Sequence, residues 1–357
     1  IPGGMATGRA VAIDKDNKII VAGVYGMGML GCQWGDSFVL RLNPDGKLDP
    51  TFGEGGIFRQ NFSAEAEAGE SDWFGNPHRF ADGLYAIALQ SDGKIVLGGV
   101  AQTRETMDAN RSTDFASMAT SRASDALIVR LTPEGKLDTT FNSKGYILGR
   151  FGTPLPAEDG KRKKPGDPKN FEIYRFGSGA LSVRVDQDDR VVVAGYIGGG
   201  CNGEGASNKE AFVVARYTKN GTLDLDFAKT GLVCLKVSSN DHDNEDRATS
   251  LVLQKDRKIV VVGMANYSNG QFGLIRLNED GSRDIHFGPD RNGQRTFTPK
   301  QLSDEAEVTL AETVAMQPDG KILVGGGTGV SWTSGGLTGN AGSFCARPGW
   351  KVVRFQK

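Results

Sequence analysis

The chain has 357 residues, with 42 basic against 43 acidic side chains and 50 glycines. That balance gives no electrostatic footprint for nucleic acid or an anionic membrane, and no apolar run approaches the roughly 20 residues of a membrane span. The length exceeds what one compact core usually holds, which leaves two domains or a radial repeat; glycine at about twice its usual share points to many tight turns.

In chain order, one pattern recurs five times. The first unit alternates through AVAIDKDN (10–17), continues as KIIVAG (18–23) and FVLRL (38–42), turns through NPDGKLDPTFG (43–53) and ends in GIFRQNF (56–62). The second reads AIALQSDG (86–93), KIVLGG (94–99), IVRL (128–131), TPEGKLDTTFN (132–142) and GYILGRF (145–151). The third reads SVRVDQDD (182–189), RVVVAG (190–195), VVARY (213–217), KNGTLDLDFA (219–228) and GLVCLKV (231–237). The fourth reads SLVLQKDR (250–257), KIVVVG (258–263), LIRL (274–277), NEDGSRDIHFG (278–288) and GQRTFTP (293–299). The fifth has TVAMQPDG (313–320), KILVGG (321–326) and VVRF (352–355), and stops. Period-2 alternation, Val and Ile enrichment and Asp-Gly turns argue strand, not helix. Each unit is therefore four short strands, here A to D, with A and B joined as a tight hairpin.

Four-stranded antiparallel units repeated in this way predict an all-β fold. The expected form is a five-bladed β-propeller in one domain over residues 1–357, with blades at about 8–62, 83–152, 178–238, 247–297 and 309–357. A β-solenoid is the alternative, but its coils are shorter and more regular. The fifth unit ends within or just after strand C, so its blade is expected to be incomplete. Only Ile1 to about Thr7 precedes the first strand A, too little for a convincing replacement strand. An open strand edge of that kind is a natural docking site.

Two motifs carry a family resemblance: Asp92-Gly-Lys-Ile-Val-Leu-Gly-Gly99, and Arg41-Leu-Asn-Pro-Asp-Gly-Lys-Leu-Asp-Pro-Thr-Phe-Gly53. On these the chain resembles the delta-60 repeat (DUF5122-type) β-propeller family, found largely in bacteria. The resemblance covers nearly all of the chain except its long loops. It implies the fold and carries no agreed activity.

Strand C ends on Arg41, Arg130, Arg216, Arg276 and Arg354, and the first four are followed in the turn by Asp49, Asp138, Asp224 and Asp284. Structural Arg–Asp pairs pinning the C–D turn are expected. The recurring Phe52, Phe141, Phe227 and Phe287 are expected as inter-blade anchors. Asp-rich A–B turns are explained by turn chemistry.

All length variation falls at one end of the blades. A–B turns are short and C–D turns nearly constant, while B–C loops (25–36, 101–125, 196–210, 265–271, 327–350) and D–A links (62–83, 153–178, 238–247, 297–309) vary. Binding is placed on that loop face. Its candidate residues are Trp34, Trp73, Phe74, His78, Trp332 and Trp350. With the ring closed, blade 5 lies beside blade 1 and three of the tryptophans gather near the seam. The basic run Gly160–Pro165 reads as a solvated loop. A calcium site is considered at Asp241, Asp243 and Asp246, against a solvated acidic loop.

The repeat map places Cys32 and Cys345 in B–C loops of blades 1 and 5, Cys201 in the B–C loop of blade 3, and Cys234 in strand D of blade 3. Disulfides Cys32–Cys345 and Cys201–Cys234 are predicted, and with them an oxidising compartment: extracellular, periplasmic or cell-surface. The chain begins at Ile1, so a cleaved leader is not excluded.

With three histidines and no G-x-S-x-G, H-E-x-x-H or phosphate-cradling loop, the sequence ranks catalysis below binding. The expected role is an exported protein-interaction or scaffold module, an accessory subunit of a surface or envelope assembly. Its partner is expected to be a protein, with no cofactor and no nucleic acid. A carbohydrate-binding propeller is the alternative, and a glycan-active enzyme ranks below that.

Overall fold

The computed structural model describes residues 6–26, 35–63, 82–101, 124–151, 177–198, 210–237, 246–265, 271–297, 308–329 and 349–355. They form an all-β, propeller-like arrangement of five antiparallel sheets, with no helix among the described residues. Blade 1 is β1 (Ala6–Ile13), β2 (Ile19–Tyr25), β3 (Asp36–Leu42) and β4 (Ile57–Gln60). Blade 2 is β5 (Asp82–Leu89), β6 (Ile95–Ala101), β7 (Asp125–Leu131) and β8 (Tyr146–Gly149). Blade 3 is β9 (Ser178–Val185), β10 (Val191–Gly198), β11 (Glu210–Tyr217) and β12 (Leu232–Leu235). Blade 4 is β13 (Arg247–Leu253), β14 (Ile259–Ala265), β15 (Gln271–Leu277) and β16 (Gln294–Phe297). Blade 5 has three strands, β17 (Val308–Met316), β18 (Ile322–Gly329) and β19 (Gly349–Phe355).

Each sheet is an up-and-down meander, strands pairing in sequence order. Every strand A carries a bulge at one place, for example between Leu84 and Ala86 and between Ala248 and Ser250. The bulge drives a strand-A carbonyl against the middle of strand B. A Cβ at Gly99 would overlap the Gly83 carbonyl oxygen, and one at Gly263 the Arg247 carbonyl oxygen. This close approach explains why the strand-B motif ends in glycine.

Successive blades pack face to face. Strands β5, β9, β13 and β17 each lie against strands A, B and C of the preceding blade. Blade 3 is covered on both faces, so β10 and β11 are buried along their whole length and read as continuous apolar runs. The core divides into four clusters, one for each junction between consecutive blades.

No such packing joins blade 5 to blade 1 among the described strands. Val11, the β1 counterpart of the buried Ile87, Val183, Leu251 and Val314, is 64% exposed. On the other side, Val352 is 72% exposed, where its counterparts Val39, Ile128, Val214 and Leu274 are at 0%. The ring closure expected from the repeat count is thus not made between these strands. The junctions that are made use a C–D turn from each blade, and blade 5 shows none among its described residues.

Candidate functional site

At the turn end, one arginine per blade organises the junction. Arg41 Nε meets Asp49 Oδ2 at 2.7 Å, Arg130 Nε meets Asp138 Oδ2 at 2.8 Å, Arg216 Nε meets Asp224 Oδ2 at 2.6 Å, and Arg276 Nε meets Asp284 Oδ2 at 2.7 Å. Each guanidinium also covers the blade's own Phe, at 4.8, 4.7, 4.9 and 4.5 Å from the centroids of Phe52, Phe141, Phe227 and Phe287.

Three of these arginines also reach forward. Arg41 Nη1 donates to the Pro133 carbonyl at 2.5 Å, Arg130 Nη1 to the Lys219 carbonyl, and Arg216 Nη1 to the Glu279 carbonyl at 2.5 Å. Beside them the N–H groups of Gly53, Asn142 and Ala228 donate to the Glu134, Asn220 and Asp280 carbonyls of the following blade. The turn glycine has a double reason. Gly135 and Gly221 have positive φ (77° and 82°), and a Cβ on them would strike Phe52 and Phe141, respectively, of the preceding blade.

A second cation joins each turn aspartate: Lys18 at 2.7 Å, Lys94 at 3.5 Å, Arg190 at 3.8 Å and Lys258 at 2.9 Å. The hydrogen bond from Lys18 holds the Asp49 carboxyl well below its usual range, against the opposing effect of burial. At Asp284 burial pushes upward, yet Lys258, the His286 N–H and Arg276 outweigh it and hold the carboxyl at about 2. The sequence reading missed this basic residue, although the signal was present: Lys or Arg stands just before strand B in every unit.

At the loop end, the first residue of strand A, or the residue just before it, latches onto the preceding blade. Asp82 Oδ2 accepts from the Ser37 N–H at 2.9 Å and the Ser37 hydroxyl at 2.5 Å, and Oδ1 from the Ser63 hydroxyl at 3.3 Å. Burial nevertheless raises its carboxyl to about 6. In blade 3, Ser178 Oγ accepts from the Ala126 N–H at 3.1 Å. In blade 4, Asp246 Oδ2 accepts from the Val237 N–H at 2.8 Å, and neighbouring Arg247 grips Glu210 with two nitrogens while lying 4.5 Å from the Tyr196 ring centroid. Ala6 stands at this position in blade 1.

A cavity of about 190 Å³ opens between the A–B turns of blades 3 and 4, lined by Asp186, Asp188, Arg190, Gln254, Arg257 and Glu279 among others. Several of its charges are paired with one another: Arg190 and Arg257 reach Glu279 at 3.0 and 2.7 Å, and Arg257 reaches Asp188 at 2.9 Å. Hydrogen bonds from Arg257 and Arg190 lower the Glu279 carboxyl. A carboxylate held ionised in this way is poorly matched to proton transfer near neutral pH.

Of the residues singled out in the sequence, Trp34, Trp73, Phe74, His78 and Trp332 lie outside the described residues, as do Cys32, Cys201, Cys345, Asp241 and Asp243. Trp350 is placed by its backbone, opposite Gly327 in the β18–β19 ladder. Cys234 pairs with Val213 across strands C and D and is disulfide-bonded. Asp246 serves as the latch just described. No group of three metal-ligating side chains occurs among the described residues, and no described helix is long and apolar enough to cross a membrane.

The family described as a domain of unknown function (DUF5122) beta-propeller matches residues 31–52, 119–141, 187–227, 254–287 and 317–338. These DUF5122 matches recur across the chain, consistent with a delta-60 repeat β-propeller family. Each DUF5122 match touches one of the five sheets, and the first four run into the Asp-x-x-Phe turn that builds the junctions. No curated protein matches the chain. Among solved structures, a protein of unknown function from Dyadobacter fermentans is similar at 12% identity and TM-score 0.40, over 91% of this chain and 75% of that one. A thermostable family-43 glycoside hydrolase is similar at 11% identity and TM-score 0.40, over 92% and 85%. The polysaccharide lyase Uly1 is similar at 14% identity and TM-score 0.45, over 96% and 57%. At these values no argument rests on them.

Proposed function

We propose that this chain is a five-bladed propeller acting as a protein-interaction or scaffold module, binding through its B–C and D–A loop face. One observation carries the reading: the two ends of the blades are used differently. The turn end is occupied by the Arg–Asp–Phe junctions and their forward hydrogen bonds, which leave it structural work. The insertions all leave from the other end, between strands B and C or between D and the next A, where the scaffold needs only a short link. Export to an extracellular, periplasmic or cell-surface compartment goes with this reading. It is supported by the bonded state of Cys234, for which Cys201 is the proposed partner, with Cys32–Cys345 as the second pair.

The test is affinity purification with the full chain from its natural host, beside a variant whose residues 102–123 are replaced by a short Gly-Ser link. A specific protein retained by the first and lost by the second is the expected result. Binding on a glycan array with no protein partner would overturn it in favour of a carbohydrate-binding module.

A further inference from the structure

The junction of blades 3 and 4 departs from its neighbour at the A–B turns. Between blades 2 and 3 the two turns touch: Gln90 Nε2 donates to the Asp189 carbonyl at 2.8 Å, and the Ser91 N–H to the Asp189 carboxylate at 2.9 Å. Between blades 3 and 4 the cavity of about 190 Å³ stands in that place. Three of its lining residues break the repeat. Arg190 stands where strand B elsewhere follows a lysine (Lys18, Lys94, Lys258 and Lys321). Arg257 stands where the other turns have Asn17, Gly93, Asp189 and Gly320, and it keeps a left-handed φ of 65° that favours glycine. Glu279 stands where the other C–D turns have Pro44, Pro133 and Lys219. The junctions on either side of blade 2 are built without this trio, so blade packing does not require it.

These groups have hydrogen-bonding capacity left over. Arg190 and Arg257 both use one oxygen of Glu279, Oε1, and Oε2 has no partner among the described residues. Arg257 reaches Asp188 and Glu279 through Nη1, which leaves Nε and Nη2 without an acceptor among the described residues. Gln254, 6% exposed, has a buried side-chain oxygen with no hydrogen-bond partner, whereas its counterpart Gln90 is engaged through both ends of its amide. Val192 and Ile259 add apolar wall to the same cavity.

We propose that this cavity binds one neutral polyhydroxylated ring, a hexopyranose unit. A hydroxyl donates and accepts at once, so it suits a wall where the unused acceptors of Glu279 and Gln254 accompany the unused donors of Arg257. The ring carbons lie against Val192 and Ile259. An anion would gain the solvent-exposed Lys255 at the rim, a weak pairing, and would meet the free oxygens of Glu279 and Gln254. A cation would meet Arg257, or would have to break an existing ion pair. The volume is below the roughly 300 Å³ at which drug-sized sites begin, which limits the ligand to a single ring.

The site lies at the opposite end of the blades from the loop face, so it stands or falls separately from the protein-interaction reading. The test takes the full 357-residue chain with the methyl glycosides of glucose, galactose and mannose, and with glucuronate and glucosamine as charged counterparts, read by saturation-transfer NMR and titration calorimetry. Saturable binding of at least one neutral glycoside is expected. Glu279→Pro and Arg257→Gly install residues that blade 2 carries in the same places, so the backbone accepts both. Each should weaken binding at least about tenfold while the circular dichroism of the folded chain is retained. Replacing residues 102–123 by the Gly-Ser link should leave binding intact. No saturable binding of any neutral glycoside, or tighter binding of either charged sugar, overturns the proposal. So does binding that survives both substitutions, or binding that is lost with the loop replacement.

Discussion

Arg130 and Arg354 hold the same place in the repeat and end in opposite environments. Arg130 is buried at the junction of blades 2 and 3, with Asp138, Phe141 and the Lys219 carbonyl around it. Arg354 is exposed, and so are Val352 on its strand and Val11 and Ile13 across the seam. The strands on the two sides are equally apolar. Burial at a junction therefore depends on the turn that follows strand C, which supplies the counter-charge, the ring and the forward hydrogen bonds, and not on strand composition alone.

The largest expected effect separates these two arginines directly. Asp138→Ala leaves Arg130 as a buried, uncompensated charge and should lower unfolding stability by about 3–5 kcal/mol in chemical denaturation. Arg354→Ala should change it by less than about 0.5 kcal/mol. Equal losses for both would show that the seam is closed in solution.

Next is the pH response of the junction between blades 1 and 2. Asp82 has its carboxyl raised from 3.8 to about 6, so the folded state holds that proton more tightly than the unfolded chain. Its contribution is complete below about pH 4 and is lost as pH rises through 6, a change of about 2–3 kcal/mol at about 1.4 kcal/mol per unit. Asp82→Asn should flatten stability over that window; an unchanged slope would place the titration elsewhere. Asp284 has the opposite sign, since its lowered carboxyl contributes stability that is lost as pH falls toward 2.

Arg41→Lys tests the forward latch. Lysine keeps the charge near Asp49 but not the fork that also reaches Pro133, and a loss of about 1.5 kcal/mol is expected. The smallest effect belongs to the seam: Val11→Thr and Val352→Thr should each stay within about 0.5 kcal/mol. A loss above 1 kcal/mol, as expected for a hydroxyl buried in a packed face, would mean the seam is covered.

The strands, their order and the three-stranded fifth blade were legible because period-2 apolar runs and Asp-Gly turns are local signals. So were the Arg–Asp pairs, whose partners lie eight residues apart on one turn. The forward hydrogen bonds were not legible, because their acceptors are main-chain carbonyls and carry no side-chain signature. Asp246 read as a loop acid or calcium candidate because a partner it latches onto is a backbone N–H of the preceding blade, which carries no side-chain signature. The exposure of Val11 was hidden for a related reason: it looks like Ile87 in sequence, and among the described residues only the lack of a packed neighbour distinguishes them.

The arginine latches at the turn end have a direction. Arg41, Arg130 and Arg216 each reach from their own blade to the next, and none reaches back. Such a chain of nearest-neighbour couplings behaves like a one-dimensional array in which an interior unit is stabilised from both sides and an end unit from one. Amide exchange should then be slowest in β10 and β11 and quicken toward both ends, so that the molecule opens from its rims inward like a zip with two free ends.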